Sequence, residues 1–119
     1  MGTSKSTEVN YTAGVSIFSG RPDPTWTLSE AVGSELRKLY DELERSDGSA
    51  VTSPPLGYRG AFLRDSAGHE WFAYREVVTL TSQDTSEVRK DPGRVFEREV
   101  VGSAPEGLIP PALLTSEFG

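Results

Sequence analysis

The sequence predicts an α+β fold, a small and mostly antiparallel sheet with two helices packed on one face. Three observations lead there. Residues 9–19 alternate apolar and polar side chains with the period of a strand. Residues 27–46 repeat apolar positions at spacings of three and four, the period of an amphipathic helix. Residues 57–80 hold two runs rich in aromatic and β-branched residues on either side of a turn signal, which reads as a hairpin. The predicted order is β-α-β-β-α.

Residues 1–8 are polar and patternless and read as a disordered tail. In the first strand, Val9 to Ser19, Tyr11, Ala13, Val15 and Ile17 share one face. Ser19 to Trp26 follows as a stiff loop: Pro22 and Pro24 fix their own φ and hold Arg21 and Asp23 extended. Thr27-Leu28-Ser29-Glu30 reads as a capping box with Thr27 as N-cap. Leu28, Val32, Leu36, Leu39 and Leu43 form the apolar stripe of the first helix, with Arg37, Asp41 and Arg45 spaced to pair on its solvated side. Ser46-Asp47-Gly48 should end it.

Ser49 to Leu56 reads as a loop, Gly57 to Arg64 as the second strand, Asp65 to Gly68 as a tight turn and Glu70 to Leu80 as the third strand. Asp91-Pro92 reads as N-cap and first residue of a second helix, with Val95, Phe96 and Val100 facing inward and Gly102 as its stop. Residues 9–104 thus read as one α+β domain. The Pro-rich stretch 105–119 carries Leu108, Ile109, Leu113 and Leu114 and is expected to dock on it. Three strands make a thin sheet, so Ser49 to Ser53 or the stretch near Leu108 is expected to add a fourth.

A chain of 119 residues is one domain by size. Its formal charge of −6, with acids interleaved among nine arginines, excludes generic nucleic-acid binding, which depends on clustered positive charge. The absence of cysteine excludes disulfides, thiolate metal sites and cysteine nucleophiles. A single histidine leaves no zinc ligand set, and no metal or cofactor motif is present. No apolar run reaches the length of a membrane span, and no signal-peptide core is visible, so a soluble cytoplasmic protein is expected. Met1-Gly2-Thr3-Ser4-Lys5-Ser6 fits a short acylation pattern that is common by chance, and Asn10-Tyr11-Thr12 fits a glycosylation sequon that means little without a secretion signal.

Three places carry candidate chemistry. Arg21, Asp23 and Trp26 put a guanidinium fork, a carboxylate and a stacking ring beside a helix N-terminus, which suits an anionic or carbonyl-bearing small molecule. The structural alternative pairs Arg21 with Asp23 or Glu30 and uses Trp26 as packing. Tyr58 and Arg59, between Gly57 and Gly60, would add a second arginine if their strand lies beside the first; the alternative is a bulged strand entry with Tyr58 in the core. His69 is the one side chain that ordinarily titrates near neutrality, so His69 and Asp23 are the candidate acid and base. An idle, exposed histidine after a turn is the alternative.

The boxes Ser19-Gly20-Arg21-Pro22-Asp23-Pro24-Thr25-Trp26 and Leu56-Gly57-Tyr58-Arg59-Gly60 resemble those of a family of small, uncharacterised single-domain proteins. The resemblance spans roughly Val15 to Val101 and carries no activity. That family often has Asn where Asp23 stands, which implies a hydrogen-bonding turn role for Asp23 rather than proton transfer.

Two functions follow from these readings. One is a site for a small anionic ligand built from Arg21, Trp26, Tyr58 and Arg59, with cofactor-free proton transfer or cyclisation as its catalytic form. The other is a protein-interaction module, an accessory or inhibitor-like protein or a homodimer, docking through the Pro loop and the Pro-rich tail.

Overall fold

The computed structural model describes residues 10–17, 23–48 and 58–118. It is an α+β fold in two layers. The strands β1 (Tyr11–Ser16), β2 (Thr25–Leu28), β3 (Gly60–Asp65), β4 (His69–Tyr74), β5 (Val77–Ser82) and β6 (Thr85–Lys90) form one antiparallel sheet in the order β2-β1-β3-β4-β5-β6. The helices α1 (Glu30–Asp41) and α2 (Val95–Gly102) cover one face of it, and α3 (Pro111–Phe118) follows at the C-terminus.

The register explains which residues make the core. Tyr11, Ala13 and Val15 on β1 lie in rows with Leu28 and Trp26 on β2 and with Leu63 and Ala61 on β3. The rows continue through Trp71 and Ala73 to Leu80 and Val78. Leu36, Tyr40, Phe96, Val100 and Val101 close over them from the helices. The alternation of Tyr11, Ala13 and Val15 is therefore the inward face of β1, while residues 9, 18 and 19 of the expected strand lie outside the described residues.

Several elements differ from the sequence expectation. Residues 25–28 are a strand, not the start of a helix. Trp26 and Leu28 alternate inward against exposed Thr25 and Thr27, so the segment pairs with β1. The helix begins two residues later than expected, with Ser29 rather than Thr27 as N-cap; its Oγ accepts from Val32 N at 3.2 Å. The buried face of α1 is Gly33, Leu36 and Tyr40, while Val32 is exposed. Gly33 is required there, because a Cβ would stand 2.1 Å from the Tyr11 ring. The helix ends at Asp41, before the Ser46-Asp47-Gly48 signal. Arg89 on β6 draws its last carbonyls aside, donating through Nη1 to Tyr40 O, Asp41 O and Leu43 O at 3.2, 2.8 and 3.1 Å. Arg37 turns to the Tyr11 hydroxyl and Arg45 to Glu87 instead of pairing with Asp41.

The expected third strand is two strands. Glu70 to Leu80 is broken at Arg75 and Glu76, which both adopt positive φ, 47° and 73°. β6 is a further strand that no alternation announced. The added strands are β2, β5 and β6; residues near Leu108 form turns, and Ser49 to Ser53 lies outside the described residues. A short 3-10 turn over Pro92–Arg94 precedes α2. The N-cap residue of α2 is Arg94, not Asp91, and the helix starts at Val95 rather than Pro92; the Asp91 side chain still reaches its first turn, accepting from Phe96 N at 2.9 Å and Glu97 N at 3.2 Å. Phe96 and Val100 face inward, while Val95 is exposed. Beyond α2, Ile109 is buried and the Phe118 ring meets Tyr58 edge-on at 5.9 Å. The tail 1–8 lies outside the described residues.

Candidate functional site

Asp23 of the first box and Arg59 of the second meet at one end of the sheet. Asp23 Oδ1 accepts from Ile17 N at 2.9 Å and stands 3.9 Å from Arg59 Nη2. Arg59 N donates to Ser16 O at 2.7 Å, which ties the entry of β3 to the end of β1. Arg21 lies outside the described residues. Gly60 holds φ at +134°, and a Cβ there would stand 2.5 Å from the Phe72 ring, so this glycine makes room for an aromatic side chain. Trp26 is buried on the helix-covered face, and its Nε1 donates to Ser103 Oγ at 2.9 Å.

Tyr58 is also buried, and it enters a cluster whose other side chains the sequence did not single out. Its hydroxyl donates to Glu97 Oε2, and Glu97 is 0% exposed. Arg94 binds the same carboxylate as a fork, Nε to Oε1 at 3.0 Å and Nη2 to Oε2 at 2.9 Å. Arg75 N donates to Oε1 at 3.0 Å. Arg94 then reaches α3, donating to Glu117 O at 2.9 Å and covering the Phe118 ring at 4.4 Å. Three residues around this carboxylate, Arg75, Glu76 and Arg94, hold positive φ without being glycine. The turn at Arg75 and Glu76 is stabilised by tertiary bonds, to Glu97 and from Asp91 N to Glu76 O at 2.8 Å. A satisfied buried network thus locks the β4–β5 turn, α2 and α3 together.

These contacts shift the groups involved. Burial first, then the charge of Glu97 and the bond to it, push the Tyr58 hydroxyl far above the ordinary tyrosine value. Burial pushes Tyr40 up to about 12. Its hydrogen bond to Glu97 raises Arg94. Asp91 is raised by burial, against the pull of the backbone N–H groups it accepts. A tyrosine whose folded pKa is raised is favoured neutral in the fold. Its stabilising contribution is whole below the unfolded value near 10 and is lost as pH climbs from there toward the folded value. For each of the two the slope rises through that window toward a limit of about 1.4 kcal/mol per pH unit. Urea unfolding should therefore show a steep fall in stability between about pH 10 and about pH 11, smaller in Tyr58→Phe than in wild type. A flat profile would place both hydroxyls in solvent.

His69 sits at the other end of the sheet. The register pairs Tyr11 with Asp65 and Ser16 with Gly60, so His69 and the Asp23–Arg59 pair are separated by the length of β1, roughly 17 Å. The structure does not bring His69 and Asp23 together. The partner of His69 is Asp65, whose side chain is 1% exposed against 32% for the imidazole. Asp65 Oδ2 lies 2.9 Å from Nδ1, while Oδ1 accepts from Ala67 N and His69 N and so shapes the turn. The ring leans on Trp71 at 5.7 Å, and Arg37 covers Trp71 from the helix side at 5.6 Å. Trp71 Nε1 is buried without a hydrogen-bond partner among the described residues.

The helical layer carries the third feature. A hollow of about 540 Å³ between α1 and α2 is floored by Leu28, Val32 and Leu36. It shares Glu35, Leu36 and Glu99 with a second hollow of about 330 Å³, where Leu39 and Val95 lie beside Glu42. At Gly102 it meets a third, of about 330 Å³, lined by Val101, Ile109, Pro111 and Leu114. No helix of the described residues is long and apolar enough to cross a membrane, and these residues hold no cluster of three metal-ligating side chains. Comparison with known proteins finds no matching family model, no matching curated protein and no matching solved structure.

Proposed function

We propose that this domain is a protein-interaction module whose docking surface is the helical layer. One observation carries the reading. The large apolar side chains exposed among the described residues are Val32, Val95, Leu108 and Leu114, at 42, 44, 38 and 36%. Three of them line the chain of hollows that runs over α1, α2 and α3, and Leu108 stands in the link before α3. Trp26 and Tyr58, the rings read from sequence as ligand contacts, are buried and hydrogen-bonded within the protein, which weighs against the small-molecule alternative at the two boxes.

The test is the double variant Val32→Ser with Val95→Ser, which removes apolar surface without changing charge. Both sites are already exposed, so stability should move by about 0.5 kcal/mol or less. A partner retained by the wild-type domain should be released by the variant. Retention of that partner at wild-type level would overturn the reading.

A second reading rests on the Asp65–His69 pair. A buried carboxylate on Nδ1 selects the tautomer that leaves the free lone pair on Nε2 of a part-exposed ring, the arrangement of a general base. It supports proton-transfer chemistry at His69 without a cofactor. Nitrogen NMR of the imidazole should show the Nδ1–H tautomer when neutral, shifting toward Nε2–H in Asp65→Ala. An unchanged tautomer would remove Asp65 from that role.

A further inference from the structure

We infer that the groove between α1 and α2 receives a basic amphipathic helix from a partner protein, an inference that rests on the interaction reading above. The floor is apolar, but its two walls are acidic. Glu35 stands on α1, Glu42 at its C-cap and Glu99 on α2, and Glu35 and Glu99 line both hollows, so like charges border the groove from opposite sides. None of the three carboxylates makes an ion pair within 4.0 Å among the described residues. Of the two cations at the groove, Lys38 and Arg98, the arginine is turned away to Gly93 O at 3.2 Å and Phe118 O at 3.3 Å. The groove is therefore an apolar channel whose rim carries three carboxylates in no ion pair among the described residues, against Lys38 and an Arg98 whose guanidinium is engaged elsewhere.

An occupant that suits both features presents leucine-like anchors every three to four residues and lysine or arginine on its flanks. Lysine and arginine stems lie over exposed valines while their heads reach the carboxylates. The walls of the groove are the twelve residues of α1, about 18 Å, and the eight of α2, about 12 Å, room for roughly two to three turns of helix. A second copy of this chain fits poorly. Its own groove is acidic, and the chain carries −6, so the pairing would set like charges face to face.

The probe is a labelled peptide of about 14 residues, four helical turns, with leucines on one face and lysines on the other. Its counterpart replaces every lysine with glutamate. Binding to the full chain is read by fluorescence anisotropy. The lysine peptide should bind at least about tenfold more tightly than the glutamate peptide, a difference of about 1.4 kcal/mol. Glu35→Lys with Glu99→Lys should weaken it by at least about tenfold. Asp47→Lys with Asp84→Lys is the control, since both residues are exposed and lie outside the groove. Each acid-to-lysine exchange adds two charges, so either double variant moves the chain from −6 to −2. The control should leave the affinity within about threefold. A Cβ at Gly102 meets nothing within 4 Å, so a side chain can start there without a clash, and Gly102→Trp, placed at the junction of two hollows, should also weaken the lysine peptide.

Equal losses in the groove and control variants would reduce the effect to net charge and overturn the inference. So would absence of lysine-peptide binding, or equal affinity for both peptides. A dimer in sedimentation that Val32→Ser with Val95→Ser dissolves would overturn it in favour of a second copy. Each of these leaves the broader interaction reading standing, which falls if the serine variant keeps the native partner.

Discussion

Arg94→Ala should cost about 3–5 kcal/mol of stability, because it strands a carboxylate that has no access to water. Glu97 is fully buried, and Arg94 supplies both of its charged hydrogen bonds. The Tyr58 hydroxyl and Arg75 N remain but bring no compensating charge. The same side chain holds Glu117 O, so the loss should also loosen α3. Urea unfolding measures the first effect, and amide exchange over residues 111–118 the second. Glu97→Gln, which keeps a hydrogen-bonding group of the same shape without its charge, should be milder. A loss below about 1 kcal/mol in Arg94→Ala would mean the carboxylate is solvated and the network does not hold the helices.

Trp26→Ala should cost a similar amount, about 3–5 kcal/mol, by opening a cavity between β2 and α2. Trp26→Phe should cost about 1–2 kcal/mol, since it keeps most of the packing but loses the bond to Ser103 Oγ. The pair of variants separates two roles for this ring. A stacking platform for a ligand would tolerate alanine with little loss of stability, and thermal unfolding of Trp26→Ala at wild-type temperature would return Trp26 to the surface.

The parts of the fold legible in the sequence are those where period and burial agree. Tyr11, Ala13 and Val15 alternate and are buried; Asp65 and Gly68 bracket a turn with ordinary turn chemistry. The β4–β5 turn was hidden because Arg75 and Glu76 are not residues that favour positive φ. What holds them there is a carboxylate more than twenty residues away. β2 was hidden because its last two residues, Thr27 and Leu28, also begin the capping-box pattern and its first two close the Pro loop. The inward alternation of Trp26 and Leu28 was the signal available, and pairing with β1 decides it.

Glu97 and Arg94 stand three apart, which in sequence reads as a surface helix pair. The hint was position: Glu97 lies between Phe96 and Val100 on the inward side of α2. Asp65 was missed as the partner of His69 because the two meet across a turn, while the adjacent Glu70 points to the other face of the strand. The docking groove was legible only in part. Val32 and Val95 were read as inward stripe residues, and their exposure follows from the rotation of α1 that Gly33 permits and from the placement of Val95 at the head of α2.

The most direct measurement is site-specific photo-cross-linking from the two faces of the domain in extract of its source. A photoreactive residue is placed at position 32 or 114 on the helical layer, and at position 27 or 81 on the sheet face that α1 and α2 leave uncovered. The docking account predicts one discrete, saturable adduct from positions 32 and 114, suppressed by excess unlabelled wild-type domain and not by the Val32→Ser, Val95→Ser variant. Adducts from positions 27 and 81 alone, or equal labelling from both faces, would contradict it.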